Sequence, residues 1–378
     1  MLMARHDIKT QMVFDYLVEF LEKNKFSSKN KLPSELFLSK ELTVSRSTVR
    51  AALDILLHDG FIYKVQGAGA FFNKDRVLNK NTYKEKFNKD LKYKYKIALI
   101  VQGQDAKANA ELKKGIESVF DGHSVNLQVY ITDNKFANER ECIKTLMHEG
   151  FDGFIVDGVK ASLLNPNLEL YKECYESLKI PVIFYNNYYK ELNYPKVLTD
   201  GRQAGKEMAS YLISRGHKKI GGIFVCDNYQ AVEKFQGMYE AMLLSGLDLR
   251  DRYLKWCVSD DAHDQSFRKN IESYLEKIPN ATALVCCNSI IYKLVKKVLK
   301  TLNKKVPDDI SLVSLDMSSD EVEHDNVTCT INQGFDIGQR VASNLLLMIK
   351  NKDFKDRIHE YSSLLEPKVH LGGSVKDI

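Results

Sequence analysis

The sequence predicts an α/β protein in two parts: a small winged helix-turn-helix at the N-terminus, then a large domain of two doubly wound α/β lobes. Three observations point there. The stretch "KLPSELFLSKELTVSRSTVRAALDILLHDGFIYKVQGAGAFF", residues 31–72, joins a Ser-Arg-Ser-Thr run, a leucine-patterned helix and a glycine-punctuated basic hairpin. From Lys96 onward, apolar strand runs alternate with amphipathic helices, which is the pattern of parallel βαβ units. The charge is also segregated: residues 1–96 carry 19 Lys and Arg against 11 Asp and Glu, and the other 282 carry 36 against 39, within a net charge of +5. A basic end suits a polyanion, because nucleic-acid affinity is largely phosphate neutralisation.

The head comprises residues 1–73. A first helix is expected near Asp7 to Lys25, where Ile8, Met12, Tyr16 and Phe20, with Val13, Leu17 and Leu21, fall on one broad stripe. After Pro33, Ser34 can cap a short helix ending near Leu42. Ser45 starts the next. There Val49, Ala52, Leu53, Leu56 and Leu57 follow the helical apolar rule, so Arg46, Ser47 and Arg50 face outward. Gly60 can stop that helix, and "FIYKV" and "AFF" read as two strands joined by "QGAG". An outward helix and a basic wing fit a DNA groove: Arg46 and Arg50 would reach base edges or phosphates, and Ser45, Ser47 and Thr48 would bond phosphate oxygens. Lys64, Gln66, Gly67 and Gly69 form a wing tip whose backbone can approach DNA closely. Residues 74–95, rich in Lys and Asn without apolar spacing, read as a solvated linker.

The body comprises residues 96–378. Its strands are "KIALIV" (96–101), "LQVYIT" (127–132), "FDGFIVDG" (151–158), "PVIFYN" (181–186), "KIGGIFVC" (219–226), "ALVCC" (283–287) and "ISLVSLD" (310–316). So long an array divides most economically into two lobes with a cleft between them. Ligands in such folds bind beyond the carboxyl ends of strands. The polar residues found there are Gln102, Asp105, Lys160, Asn186, Asn187, Tyr188, Asp200, Gln230, Asn288 and Asp316. They suit a polyol, which needs several hydrogen bonds and an aromatic face. Asp200 and Asp316, directly behind apolar runs, carry the most weight.

Residues 31–72 resemble the GntR-type winged helix, whose pattern stands here as "LPSE", "VSRSTVRAALDIL" and the wing "QGAGAFF". The resemblance implies operator contacts from Ser34 and Glu35 besides those above. Leu36 replaces an Arg that many members carry after "PSE", and Ala70 replaces the usual wing Thr. Residues 97 to about 374 resemble a different family, the LacI/GalR effector domain, which is periplasmic-binding-protein-like; "GFDGFIV", "IPVIFYNN", "GKEMASYLISRGHKKIGGIF" and "VPDDISLVSLD" carry the likeness. The fusion is similar to the arabinose-responsive repressors of Firmicutes, with "VKASLLNPNLELY", "NNYYKELNYP" and "DNYQAVEKFQGM" as the finer matches. That implies a cytoplasmic homodimer that binds palindromic operator DNA and is released by a neutral sugar, with L-arabinose the first candidate. A different pentose, an oligosaccharide or a sugar phosphate, and action as an activator, are the alternatives. "TDGRQAG" and "CCNS" each lack an acidic residue expected after Asp200 and Asn288.

Other function classes find little support in the sequence. It has no GxSxG elbow, Walker loop or HExxH, and "IVQGQDAKANAE" stands where a GxGxxG would follow the first strand, so no catalytic residue is expected. His123, His148, His217, His263 and His324 are isolated. Seven scattered cysteines fit neither a disulfide framework nor a zinc pattern; reduced, mostly buried thiols and no metal are expected. The N-terminal 25 residues lack the apolar core of a signal peptide, and no run approaches the about 20 apolar residues of a membrane span. An extracytoplasmic sugar-binding protein would share the body but has no use for the head.

Overall fold

The computed structural model describes residues 12–13, 16–17, 19–20, 31–58, 62–65, 69–72, 93–103, 106–263, 265–351 and 353–378. The chain forms two compact units, Met1–Lys94 and Tyr95–Ile378.

In the first unit Ser34 caps helix α1 (Glu35–Glu41) by accepting from the Phe37 N–H at 3.2 Å. Helix α2 (Arg46–His58) follows a tight turn, and strands β1 (Ile62–Val65) and β2 (Gly69–Phe72) pair antiparallel, with Ile62 opposite Phe72 and Val65 opposite Gly69. Val13, Leu17, Leu38, Val49, Ala52, Leu53, Leu56, Ile62 and Phe72 form one small core. The apolar spacing of α2 is therefore what turns Arg46, Ser47 and Arg50 outward. The rest of the expected first helix, Gly60, and the linker up to residue 92 lie outside the described residues.

The second unit is two lobes. The chain runs β3 (Tyr95–Val101), α3 (Ala106–Phe120), β4 (Val125–Ile131), α4 (Phe136–His148), β5 (Gly153–Val156), α5 (Leu168–Lys172), β6 (Val182–Tyr185) and β7 (Lys196–Thr199). At Asp200 it crosses to the other lobe, as α6 (Gly201–Ser214), β8 (Ile220–Val225), α7 (Tyr229–Leu244), β9 (Leu254–Cys257), α8 (Gln265–Lys277), β10 (Ala283–Cys286), α9 (Ser289–Thr301), β11 (Ser311–Met317), α10 (Ser319–Asp325) and β12 (Thr328–Ile331). It returns through Asn332 to α11 (Gly334–Lys350) and β13 (Ser363–Leu365), then crosses again to β14 (Lys368–His370). The first sheet has the order β13-β7-β6-β5-β3-β4 and is wholly parallel; the second is β14-β12-β11-β10-β8-β9, with only β14 antiparallel. Each lobe has its own core: Ile97–Val101, Phe154–Val156 and Val341–Leu346 contribute to the first, Ile223–Val225, Ala283–Cys287 and Leu312–Leu315 to the second.

All seven strands expected from the sequence are present, each within a few residues of its expected ends. One expectation needs correction. Asp316 does not follow its strand; β11 continues to Met317, and its register against β12 shifts between Ser314 and Met317. Asp316 stands in that irregularity with φ +76°, a backbone state that re-aims a side chain. Close helix packing sets the second lobe's geometry. Gly205 of α6 and Gly237 of α7 lie against the backbone of the opposite helix at Lys234 and Arg202, where a Cβ would collide. That contact fixes α7, and with it Lys234, over the strand ends.

Candidate nucleic-acid and effector sites

On the head, the exposed side chains of Arg46, Ser47 and Arg50 form the outward face of α2. Arg50 donates from Nε to Glu35 on α1 at 2.8 Å. Glu35 thus orients an arginine and ties the two helices together, a role the sequence did not suggest. Lys64 on β1 pairs with Asp54 at 3.2 Å, and Gly69 has φ +104°, which only glycine adopts readily. Two expectations change. Thr48 is buried, and the Ser45 hydroxyl accepts from the Thr48 N–H at 3.1 Å while lying 2.7 Å from both the Ser47 and Thr48 hydroxyls. Ser45 therefore caps α2 and the buried Thr48 bonds that cap instead of facing outward, so of the two only the exposed Ser45 hydroxyl stays open to a phosphate. Ser34 likewise caps α1. Gln66 and Gly67 lie outside the described residues, as does Asp105 of the body.

Between the lobes, polar side chains converge from strand ends. Asp157, behind β5, accepts from Asn187 at 2.9 Å, Asn186 at 3.2 Å and Gln102 at 3.3 Å. Asn187, fully buried, also accepts from the Tyr229 N–H at 3.0 Å at the start of α7, so one amide links the lobes. In the second lobe Asp316 accepts from Asn332 at 2.6 Å, and Lys234, which donates to the Cys287 carbonyl at 3.2 Å, stands 3.7 Å from Asp316. Burial pushes the Asp157 carboxyl up to about 7; the amides of Asn187 and Asn186 oppose this and the charge of Asp316 adds to it. At the rim Lys160 reaches Asp260 at 3.0 Å and Asp227 at 3.9 Å, and Ser162 donates to the Cys226 carbonyl. Lys160, Asn186 and Asp316 all have positive φ, at 43°, 57° and 76°. Asn and Asp adopt this backbone region readily, whereas at Lys160 it is strained.

The sequence-derived candidates therefore divide. Gln102, Lys160, Asn187 and Asp316 enter the inter-lobe cluster, though the Lys160 ammonium binds carboxylates of the other lobe. Tyr188, Asp200 and Gln230 line a separate cavity by the crossings. Asp200 and Asn288 are also helix caps, accepting from Gln203 at 2.8 Å and Ile291 at 2.9 Å. The sequence reading missed Asp157, Lys234, Asn332, Asp227 and Asp260. Asp157 stood at a strand end like the others, but Lys234 lies inside a helix and gave no such signal. His217 is buried between Thr282 and the Lys376 carbonyl. The seven cysteines are unpaired, five of them buried. Among the described residues no His, Cys, Asp and Glu group could hold a metal ion, and no helix is long and apolar enough to cross a membrane.

Residues 94–364 match the family described as periplasmic binding proteins and sugar binding domain of LacI family. The chain belongs to this family. Residues 9–72 match the bacterial regulatory proteins of the gntR family. This LacI-type member thus carries a GntR-type DNA-binding head on a sugar-binding body, the make-up of a ligand-responsive transcriptional regulator. It is 28% identical over 337 residues to the arabinose metabolism transcriptional repressor of Halalkalibacterium halodurans, covering 87% of this chain and 86% of that protein. To the protein of the same name from Geobacillus stearothermophilus it is 27% identical over 347 residues, 89% of each. A LacI family regulator from Enterococcus faecium with bound ribose shares the fold, with TM-score 0.61 over 75% of this chain and 99% of that one at 20% identity.

Proposed function

We propose that this regulator represses genes for the use of L-arabinose or a related pentose, acting in the cytoplasm as a homodimer on palindromic operator DNA. The neutral sugar binds between the lobes and releases the operator. The observation that carries this reading is the pairing of Asp157 and Asp316 from opposite lobes, each held by amides, with Lys234 beside the second. Two carboxylates accept from hydroxyl groups, and Lys234 and the amides donate to hydroxyl oxygens, so a polyol serves both lobes at once. A phosphate is poorly served: the ammonium groups of Lys160 and Lys234 already face carboxylates, and Asp157 and Asp316 would repel it. A ligand touching both lobes favours the closed arrangement, and closure would alter the spacing of two heads in a dimer.

The sugar site comprises Gln102, Asn186, Asn187 and Asp316 from the strand ends, together with Asp157, Lys234 and Asn332. Thermal melting of the full chain against L-arabinose, D-ribose, D-xylose and glucose 6-phosphate tests it. A shift with a pentose that Lys234→Met removes is expected. A shift with the sugar phosphate alone would overturn the neutral-sugar reading.

A further inference from the structure

A cavity of about 420 Å³ lies where the chain crosses between the lobes, walled by β7 and β13 of the first lobe and by the starts of α6 and α7 of the second. Its lining includes Tyr188, Lys196, Asp200, Tyr229, Gln230 and Glu233, and none of Asp157, Lys234, Asp316 or Asn332. Two lining side chains lack polar partners. Gln230 is only 6% exposed, yet nothing among the described residues hydrogen-bonds its side-chain amide. Lys196 is half-buried, and its ammonium sits 4.4 Å from the Tyr188 ring with no carboxylate partner among the described residues. The Gln230 amide opens on the cavity, so water or a ligand there can complete its hydrogen bonds.

We propose that this cavity is a second ligand site, distinct from the inter-lobe cluster, for a neutral polyhydroxylated molecule of mono- to disaccharide size. The volume lies within the range of small-molecule sites. The lining sets the ligand's charge: an anion that meets Lys196 would also face Asp200 and Glu233, and a cation that meets those acids would face Lys196. A hydroxyl group donates to a carboxylate and accepts from an ammonium or amide, so a polyol satisfies all of them. Tyr188 and Tyr229, from different lobes, meet edge to face at 4.6 Å, with their hydroxyls 3.1 Å apart. Lys196 and Lys190 lie over these rings at 4.4 and 5.0 Å, so the pair lends the cavity its hydroxyls and ring edges, while Leu198 and Leu364 supply apolar surface for the C–H side of a sugar. Because the walls come from both lobes, occupancy is coupled to the lobe angle and hence, by linkage, to ligand affinity at the inter-lobe cluster.

Equilibrium dialysis of the full chain with radiolabelled L-arabinose, D-galactose and cellobiose tests this, with glucose 6-phosphate and glycine betaine as charged probes. The Asp316→Ala chain disables the inter-lobe cluster and should still bind at least one of the neutral sugars. Adding Gln230→Leu or Lys196→Met should weaken that binding about tenfold, with circular dichroism verifying the fold of each variant. If Asp316→Ala leaves all sugar binding untouched, the effector reading of the cluster fails, and the Gln230 and Lys196 variants still decide the second site. The inference is overturned if no neutral sugar binds the Asp316→Ala chain, if only a charged probe does, or if neither further substitution weakens the binding.

Discussion

Replacing Asp157 with Asn changes the charge at the centre of the inter-lobe cluster without changing its volume. In the folded chain burial holds this carboxyl near pKa 7, against an ordinary value of 3.8. The shift is about 3 units at 1.36 kcal/mol each, so the charged carboxylate costs the fold on the order of 4 kcal/mol above pH 7. The sign follows from proton counting. Between about pH 4 and pH 7 the folded state binds more protons at this site than the unfolded one, so its contribution to stability falls as pH rises through that window. An amide does not titrate, and near pH 4 it closely mimics the protonated acid. The variant should therefore gain on the parent as pH rises, by up to about 4 kcal/mol at pH 8. Urea unfolding at pH 4.5, 6, 7 and 8 can be followed by circular dichroism and by the fluorescence of Trp256, the single tryptophan. A stability difference that stayed constant across that range would refute the buried-carboxylate reasoning. In the parent, a sugar hydroxyl donating to Asp157 favours the charged form, so effector affinity should rise with pH through 7, a trend that Asp157→Asn removes.

Arg46→Ala and Arg50→Ala should each cost about 1–3 kcal/mol of operator binding, measured by fluorescence anisotropy, with pentose binding unchanged. Glu35→Ala should weaken operator binding less than Arg50→Ala does, since it frees that arginine without removing it. Lys160→Met removes the ion pairs to Asp260 and Asp227 across the lobes; a raised effector concentration for half-maximal operator release is expected in a DNA-binding titration, and an unchanged one would dismiss Lys160 as a closing contact. Asp200→Ala should lower the melting temperature through loss of the α6 cap, worth about 1 kcal/mol, and normal stability would show the cap to be idle.

Much of the fold was legible because apolar strands buried on both faces read as continuous runs, as in "FIV" and "IFY". Strands that escaped detection lacked that signal. In β9 only Cys257 is buried, and β13 and β14 are three residues each, too short to show a period. At the inter-lobe cluster, strand-end position picked out Gln102, Asn187 and Asp316 but could not separate them from the helix caps Asp200 and Asn288, because a cap and a ligand contact use the same residue types at the same place. Lys234 was invisible because its position depends on the close approach of α6 and α7 at Gly205 and Gly237. On the head, the serine and threonine hydroxyls that suggested phosphate contacts proved to bond one another, a choice that only three-dimensional placement resolves.

The most direct measurement is a fluorescence anisotropy titration of the full chain on labelled DNA from upstream of its own gene, with and without L-arabinose, D-ribose and D-xylose. Tight binding to that DNA, abolished by the Arg46→Ala, Arg50→Ala double substitution and reversed by one of the pentoses, is the predicted result. Binding that survives the double substitution, or that none of the pentoses weakens, would contradict it.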